Sequence, residues 1–217
     1  FPGVFTGIGE FTIHKEFVAA KIAGGAASLQ DPALDRILDF AAEAGLVVLI
    51  HNDMDVPFAK EGSEPAYLEQ AKTVFRRHAG ATIIWAHTGM GRIVRPMKDH
   101  AAHIDAILRD PAFSHLNFDL SWDEVAKYIV SSPEAVRITA ALINSHPDRF
   151  LFGTDEVAPS DAAKYMNVFH QYEPLWNALD PGTARKVRLG NYERIFDRAR
   201  AKVRGWENRN LDARANR

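Results

Sequence analysis

The sequence predicts the α/β class, a parallel sheet whose strands alternate with helices, on three observations. Short apolar runs rich in β-branched and aromatic residues recur at Val4–Gly9, Leu46–Ile50, Ala81–Ala86, Leu116–Leu120 and Phe150–Thr154. Such runs suit strands buried on both faces. Four of them stop at a side chain able to do chemistry: Glu10, His51, His87 and Asp155. The intervals are regular, with 36 residues from His51 to His87 and 68, close to two more steps, from His87 to Asp155. A closed barrel of eight strand–helix units in roughly 250 residues averages about 31 residues per unit. The spacing therefore predicts a (β/α)8 TIM barrel, or failing that an open five-stranded sheet.

The first unit runs from Val4 to Glu10, fades through Phe11, Ile13 and His14, and passes into a glycine loop, Gly24-Gly25-Ala26-Ala27. Asp31-Pro32 then opens a helix, because aspartate caps a helix start and proline suits its first turn. Leu34, Ile37, Leu38, Ala41 and Ala42 follow at helical spacing, and Gly45 ends the helix. After His51 comes a polar loop to Glu64, and Pro65 is expected to start the next helix, with Tyr67, Leu68, Ala71, Val74 and Phe75 on one face.

His87 is followed by a turn, Gly89-Met90-Gly91-Arg92, with Arg95 beyond it. Arginines beside a strand end can hold a carboxylate or phosphate. His100 and His103, three apart on the next helix, read more simply as a solvated face. Ser121-Trp122-Asp123 follows the fourth strand, with Asp123 expected to cap a helix and Trp122 to wall a pocket. Ser132-Pro133 restarts a helix that is amphipathic over 135–143. From about 174 the pattern is helical, ending in a tail where eight Lys/Arg face four Asp/Glu between Glu193 and Arg217. That tail reads as a solvated helix.

Five units use up a chain of 217 residues where a closed barrel needs eight. The expectation is a single domain over residues 1–217 that forms strands four to eight of a barrel, opening at Phe1-Pro2-Gly3 without the first three units. Its outer strands would then be edges that recruit partners, by an upstream segment or by a homo-oligomer. The formal net charge of -2 gives no reason to expect nucleic acid. No apolar run nears the 18 residues of a membrane span. The absence of cysteine excludes disulfides and thiolate zinc sites and suggests a cytoplasmic setting.

In such a barrel the carboxyl ends of the strands share one rim, where chemistry is done. Two imidazoles and two carboxylates there form a ligand set for a divalent metal, zinc first and manganese as the alternative. Such an ion activates water at neutral pH. Asp155 could bind the metal and also take a proton, while His87 could act as a ligand or polarise a substrate carbonyl. Arg92, Trp122 and His14 are the candidate substrate-binding residues. The expected reaction is metal-dependent hydrolysis of a small amide, ester or lactone. The alternatives are a metal-dependent decarboxylase or other lyase, and a non-catalytic barrel fragment serving as a binding module.

The ordered set Leu49-Ile50-His51, Ile84-Trp85-Ala86-His87-Thr88-Gly89, Leu151-Phe152-Gly153-Thr154-Asp155 and Gly190-Asn191-Tyr192-Glu193-Arg194-Ile195-Phe196 resembles the amidohydrolase superfamily, in its amidohydrolase-2 branch. The resemblance implies a metal-dependent hydrolase of distorted (β/α)8 fold. It places His51 at the end of strand five as a ligand, and His87 at the end of strand six as second ligand or electrophile. Asp155 ends strand eight as ligand and proton acceptor. Gly7-Ile8-Gly9-Glu10 is similar to the Gly-Glu motif of TatD-like hydrolases, whose glutamate binds metal. The strand-one His-x-His pair of the superfamily is absent from this chain.

Overall fold

The computed structural model describes residues 2–15, 27–60, 62–92 and 99–215, with side chains through Leu211. Arg95 and residues 24–26 of the glycine loop lie outside the described residues. Five parallel strands form one sheet in sequence order: β1 (Gly7–Thr12), β2 (Val47–His51), β3 (Thr82–Trp85), β4 (Leu116–Asp119) and β5 (Phe150–Leu151). Between them run α1 (Pro32–Ala44), α2 (Leu68–Arg77), α3 (His100–Arg109), α4 (Asp123–Ile129) and α5 (Pro133–Ser145). After β5 come α6 (Ala162–Gln171), α7 (Glu173–Ala178), α8 (Pro181–Arg185) and, beyond a π-helical turn, the long α9 (Asn191–Ala215).

Local chemistry sets these boundaries. The Asp31 carboxylate accepts from Ala33 N at 2.8 Å and Gly45 closes α1 at φ 81°, a conformation glycine adopts without penalty. The expected start of α2 at Pro65 is corrected to Leu68. The loop before it claims the early donors, since Ala66 N bonds Asp55 Oδ1 at 3.0 Å and Tyr67 N bonds Met54 O at 3.1 Å. Asp123 begins α4 rather than capping it; Trp122, at φ 95°, occupies the cap position and offers no side-chain bond.

Two strands also differ from expectation. The first is later than predicted, so Glu10 lies within β1 and not beyond its end. The last is only two residues long. Its continuation serves the neighbouring loop, with Thr154 O accepting from Trp122 N at 3.1 Å.

Alternation along the strands divides the interior. Val48 and Ile50 of β2 face the helices, joining Leu38, Phe75, Trp85 and Phe118 in the main core. Val47, Ile84 and Leu151 face the other way, onto Ile195 and Ala199 of α9. The last helix thus covers the sheet's second face near its amino ends, held there by Arg204 on Phe5 O at 2.6 Å.

Candidate metal centre

At the opposite end of the sheet a bulge in β1 delivers the first site residue. The β1–β2 register runs Ile8 to Val48 and then Phe11 to Ile50, one residue longer on β1. Gly9 makes this possible: at φ 132° a Cβ there would lie 2.4 Å from Leu49 O. A bulge of this kind re-aims the side chain beside it, and Glu10 is the residue beside it.

His51 ends β2 with its ring wholly buried. Nε2 lies 3.0 Å from Asp53 Oδ1. Because a carboxylate accepts, Nε2 carries the proton and Nδ1 is left to face Glu10, with Oε1 at 3.1 Å. That approach has ion-pair distance without hydrogen-bond direction, so Nδ1 remains a buried nitrogen lacking a hydrogen bond. Burial alone would make the His51 imidazole less basic, but Asp53 and Glu10 on its two sides raise its affinity for a proton. Burial likewise works against the charge on Glu10, yet His51, Lys15 and His87 together bring its carboxyl down to about 2.

His87 stands just past β3 in a tight turn where it and Thr88 take left-handed angles, φ 55° and 54°. Gly89 must be glycine here, since a Cβ would meet Trp85 Cζ2 at 2.7 Å. His87 Nδ1 lies 3.0 Å from the Ser121 carbonyl. A carbonyl can only accept, so Nδ1 holds the proton and Nε2 presents a bare lone pair, again buried and unpartnered. Burial, then the neighbouring His51, push the His87 imidazole down to about 4. It is neutral at pH 7.

Ligand atoms of Glu10, His51 and His87 all lie within 4.8 Å of one another. Asp155, at φ 44° after β5, places Oδ2 3.6 Å from His87 Nε2. Burial raises its carboxyl's hold on a proton, against the opposing pull of His87. The structure therefore brings Glu10, His51, His87 and Asp155 to one place. Two orphaned imidazole nitrogens and a carboxylate, with a second carboxylate beside them, fit a divalent cation of the zinc or manganese kind.

The candidate substrate residues are more scattered. Trp122 is buried against the site, its ring 5.0 Å from that of His87. Arg92 lies over Trp122, 5.7 Å from the ring centre, and pairs with Glu124 at 3.5 Å. His14 stacks on Tyr67 at 3.7 Å instead of standing clear. Sequence reasoning missed Lys15, 3.2 Å from Glu10 and 5.4 Å from the centre of the Trp122 ring. It also missed the supports of the two imidazoles, Asp53 and the Asp119–Ser121 pair. The Ser121 hydroxyl donates to Asp119, while burial lifts the Asp119 carboxyl to about 6. The signal for Asp53 was its place two residues after His51.

The family described as amidohydrolase matches residues 15–198. No curated protein matches the chain at a significant level. Among solved structures, an uncharacterised TIM-barrel protein from Bordetella bronchiseptica is similar at 18% identity and TM-score 0.52, covering 79% of this chain and 52% of its own. A protein of Agrobacterium tumefaciens, solved in the apo state, matches at 18% identity and TM-score 0.51 over 81% and 58% of the two chains. An amidohydrolase from Burkholderia multivorans with bound zinc matches at 15% identity and TM-score 0.51 over 78% and 58%. The chain spans between 52% and 58% of the length of these structures. With a family match over most of its length and a five-stranded part of a TIM barrel, the chain belongs to the amidohydrolase family.

Proposed function

We propose that the carboxyl-end rim is the divalent-metal centre of a hydrolase acting on a small amide, ester or lactone. One observation carries this reading: each buried imidazole has one nitrogen committed to the protein and the other bare. His51 gives Nε2 to Asp53, and His87 gives Nδ1 to Ser121 O. The remaining nitrogens turn toward Glu10 and Asp155. Leaving two buried acceptors unpaired costs about 1–3 kcal/mol each, a cost with a use if a cation completes them. Metal-ligating histidines are oriented in this way by a carboxylate or carbonyl on the far nitrogen.

A divalent cation at this place would lower the pKa of a bound water from 15.7 to about 7. Glu10, His51 and His87 would hold it. His87 serves as a ligand rather than an electrophile, because its Nε2 has no proton to offer a carbonyl. Asp155, partly exposed and with a raised proton affinity, is placed to receive a proton on Oδ2 and pass it to a leaving group. Trp122 closes one side against water. Zinc in the Burkholderia multivorans amidohydrolase supports zinc as the first metal to try.

The test is zinc content after dialysis, followed by turnover of an amide, ester and lactone panel with and without added zinc. Stoichiometric zinc and zinc-dependent hydrolysis are expected. Zinc bound without hydrolysis, but with release of CO2 from small carboxylic acids, would move the protein to the lyases. No bound zinc or manganese would overturn the reading.

A further inference from the structure

The two imidazoles of the rim are held by different means. His51 gives Nε2 straight to the Asp53 carboxylate, a group that can only accept. His87 has the Ser121 carbonyl at 3.0 Å from Nδ1 and, beside it, the Ser121 hydroxyl, whose Oγ lies 3.3 Å from the same nitrogen. A hydroxyl both donates and accepts. If it gave its proton to Nδ1, the ring would carry its own proton on Nε2. That is the nitrogen 3.6 Å from Asp155 Oδ2, buried and without a hydrogen bond.

Asp119 removes that choice. It ends β4, and an aspartate readily bonds the backbone two residues on. Its Oδ1 accepts from Ser121 N at 3.1 Å, and its Oδ2 accepts the Ser121 hydroxyl. With its one proton committed to Asp119, the hydroxyl can only accept from His87. Asp119 Oδ2 is itself 3.5 Å from His87 Nδ1. Ser121 O, Ser121 Oγ and Asp119 Oδ2 are therefore three acceptors around one nitrogen, and the proton belongs on Nδ1.

The same carboxylate reaches the main chain. Asp119 Oδ2 lies 3.5 Å from His87 N, where the backbone runs at φ 55°. Left-handed backbone at a non-glycine residue persists only where its surroundings impose it. Asp119 thus bears on both the ring of His87 and the turn that presents it.

We infer that Asp119 is a positioning residue that sets the tautomer of His87 by way of the Ser121 hydroxyl, leaving Nε2 bare for a cation. It acts through Ser121 and His87 and needs no contact with the cation. The use of the bare nitrogen rests on the metal-centre reading above, whereas the tautomer itself does not.

Nitrogen-15 NMR of the histidine rings tests this in the metal-free full chain at about pH 8, where ordinary carboxyls are ionised and imidazoles neutral. The His87 signals are identified by their loss in His87→Asn. In the unaltered chain Nδ1 should be protonated and Nε2 bare. Asp119→Ala frees the hydroxyl to donate, and the tautomer ratio should shift toward Nε2–H by about tenfold, roughly the worth of one hydrogen bond. Adding Ser121→Ala deletes that donor but keeps the carbonyl, so the ratio should return toward its original value. Mere damage to the loop would not be repaired by a second deletion. Zinc affinity should follow the tautomer, about 10–100-fold weaker in Asp119→Ala and partly regained in the double variant. If the far-UV spectrum shows Asp119→Ala unfolded, the isosteric Asp119→Asn takes its place. Its amide donates to Oγ where the carboxylate accepted, and the same shift is expected. A ring protonated on Nε2 in the unaltered chain, no shift in the Asp119 variant, or a shift that Ser121→Ala leaves in place would each overturn the inference. A ring protonated on Nδ1 in a chain that binds no zinc would overturn the metal reading and leave the role of Asp119 standing.

Discussion

The two ends of the sheet are built to opposite rules. Among the described residues, the six non-glycine positions with positive φ are Phe58, His87, Thr88, Trp122, Asp155 and Ala158. Every one follows the carboxyl end of a strand. At the amino end, left-handed backbone falls on glycine, as at Gly3 and Gly45. There Asn191 Nδ2 donates to both Pro147 O and Phe150 O at 2.8 Å, and Arg149 serves Leu116 O, so carbonyls at and just before the strand starts are satisfied. Strain of this type costs about 1–3 kcal/mol per residue and persists only where the surroundings impose it. The contrast teaches that one end is spent on holding the sheet, and the other on aiming side chains.

If that division holds, variants at the two ends should separate cleanly in metal affinity and stability. The largest effect is expected from His51→Asn, which should weaken zinc by more than the roughly 10–100-fold that losing a supporting residue costs, with the melting point little changed. Asp53→Asn should fall inside that 10–100-fold range, because His51 stays but loses the carboxylate that fixes its proton on Nε2. Both are read by competition titration against a chromophoric chelator. An Asp53 variant as damaging as the His51 variant would show that Asp53 does more than orient the ring.

Much of this was legible in the sequence, and the reasons are physical. The parallel sheet followed from apolar runs, and His51, His87 and Asp155 from the rule that polar residues ending such runs sit at a barrel's rim. Helix α1 was marked at both ends by Asp31-Pro32 and Gly45. The start of α2 was not legible, because Asp55 and Met54 take the early donors through contacts formed only in the folded loop. Glu10 within β1 depended on a bulge whose cause, the approach of Leu49 O to Gly9, is tertiary. The partner of His87 was hidden for the same reason: Ser121 O reaches it from 34 residues away.

Tyr172 tests how the strained rim is held. Its buried hydroxyl shares its one proton between Leu120 O and Trp122 O, clamping the loop in which Trp122 takes φ 95°. Tyr172→Phe should cost about 1–3 kcal/mol, a fall of about 2–4 °C per kcal/mol for a chain of this size. Zinc affinity should fall with it only if the Trp122 loop also positions His87 through Ser121. Calorimetric melting with and without zinc separates the two outcomes.

The smallest effect concerns pH. Burial, then the charge of His103, push the His100 imidazole down to about 4, against an ordinary value of 6.5. The unfolded chain therefore takes up a proton over that interval while the folded chain does not. His100 should thus stabilise fully above pH 6.5 and progressively less as the pH falls toward 4. His100→Gln should flatten this part of the melting-point profile. A variant whose profile keeps the slope of the parent would assign the acid sensitivity elsewhere.

The central claim, that the carboxyl rim is prepared for a metal and the amino end is not, is tested most directly by anomalous diffraction from crystals grown with zinc. The account predicts one strong peak among Glu10, His51 and His87, bonded through His51 Nδ1 and His87 Nε2, with none at the amino end of the sheet. Zinc held through the opposite ring nitrogens, or found only at surface histidines such as His103 or His170, would contradict it.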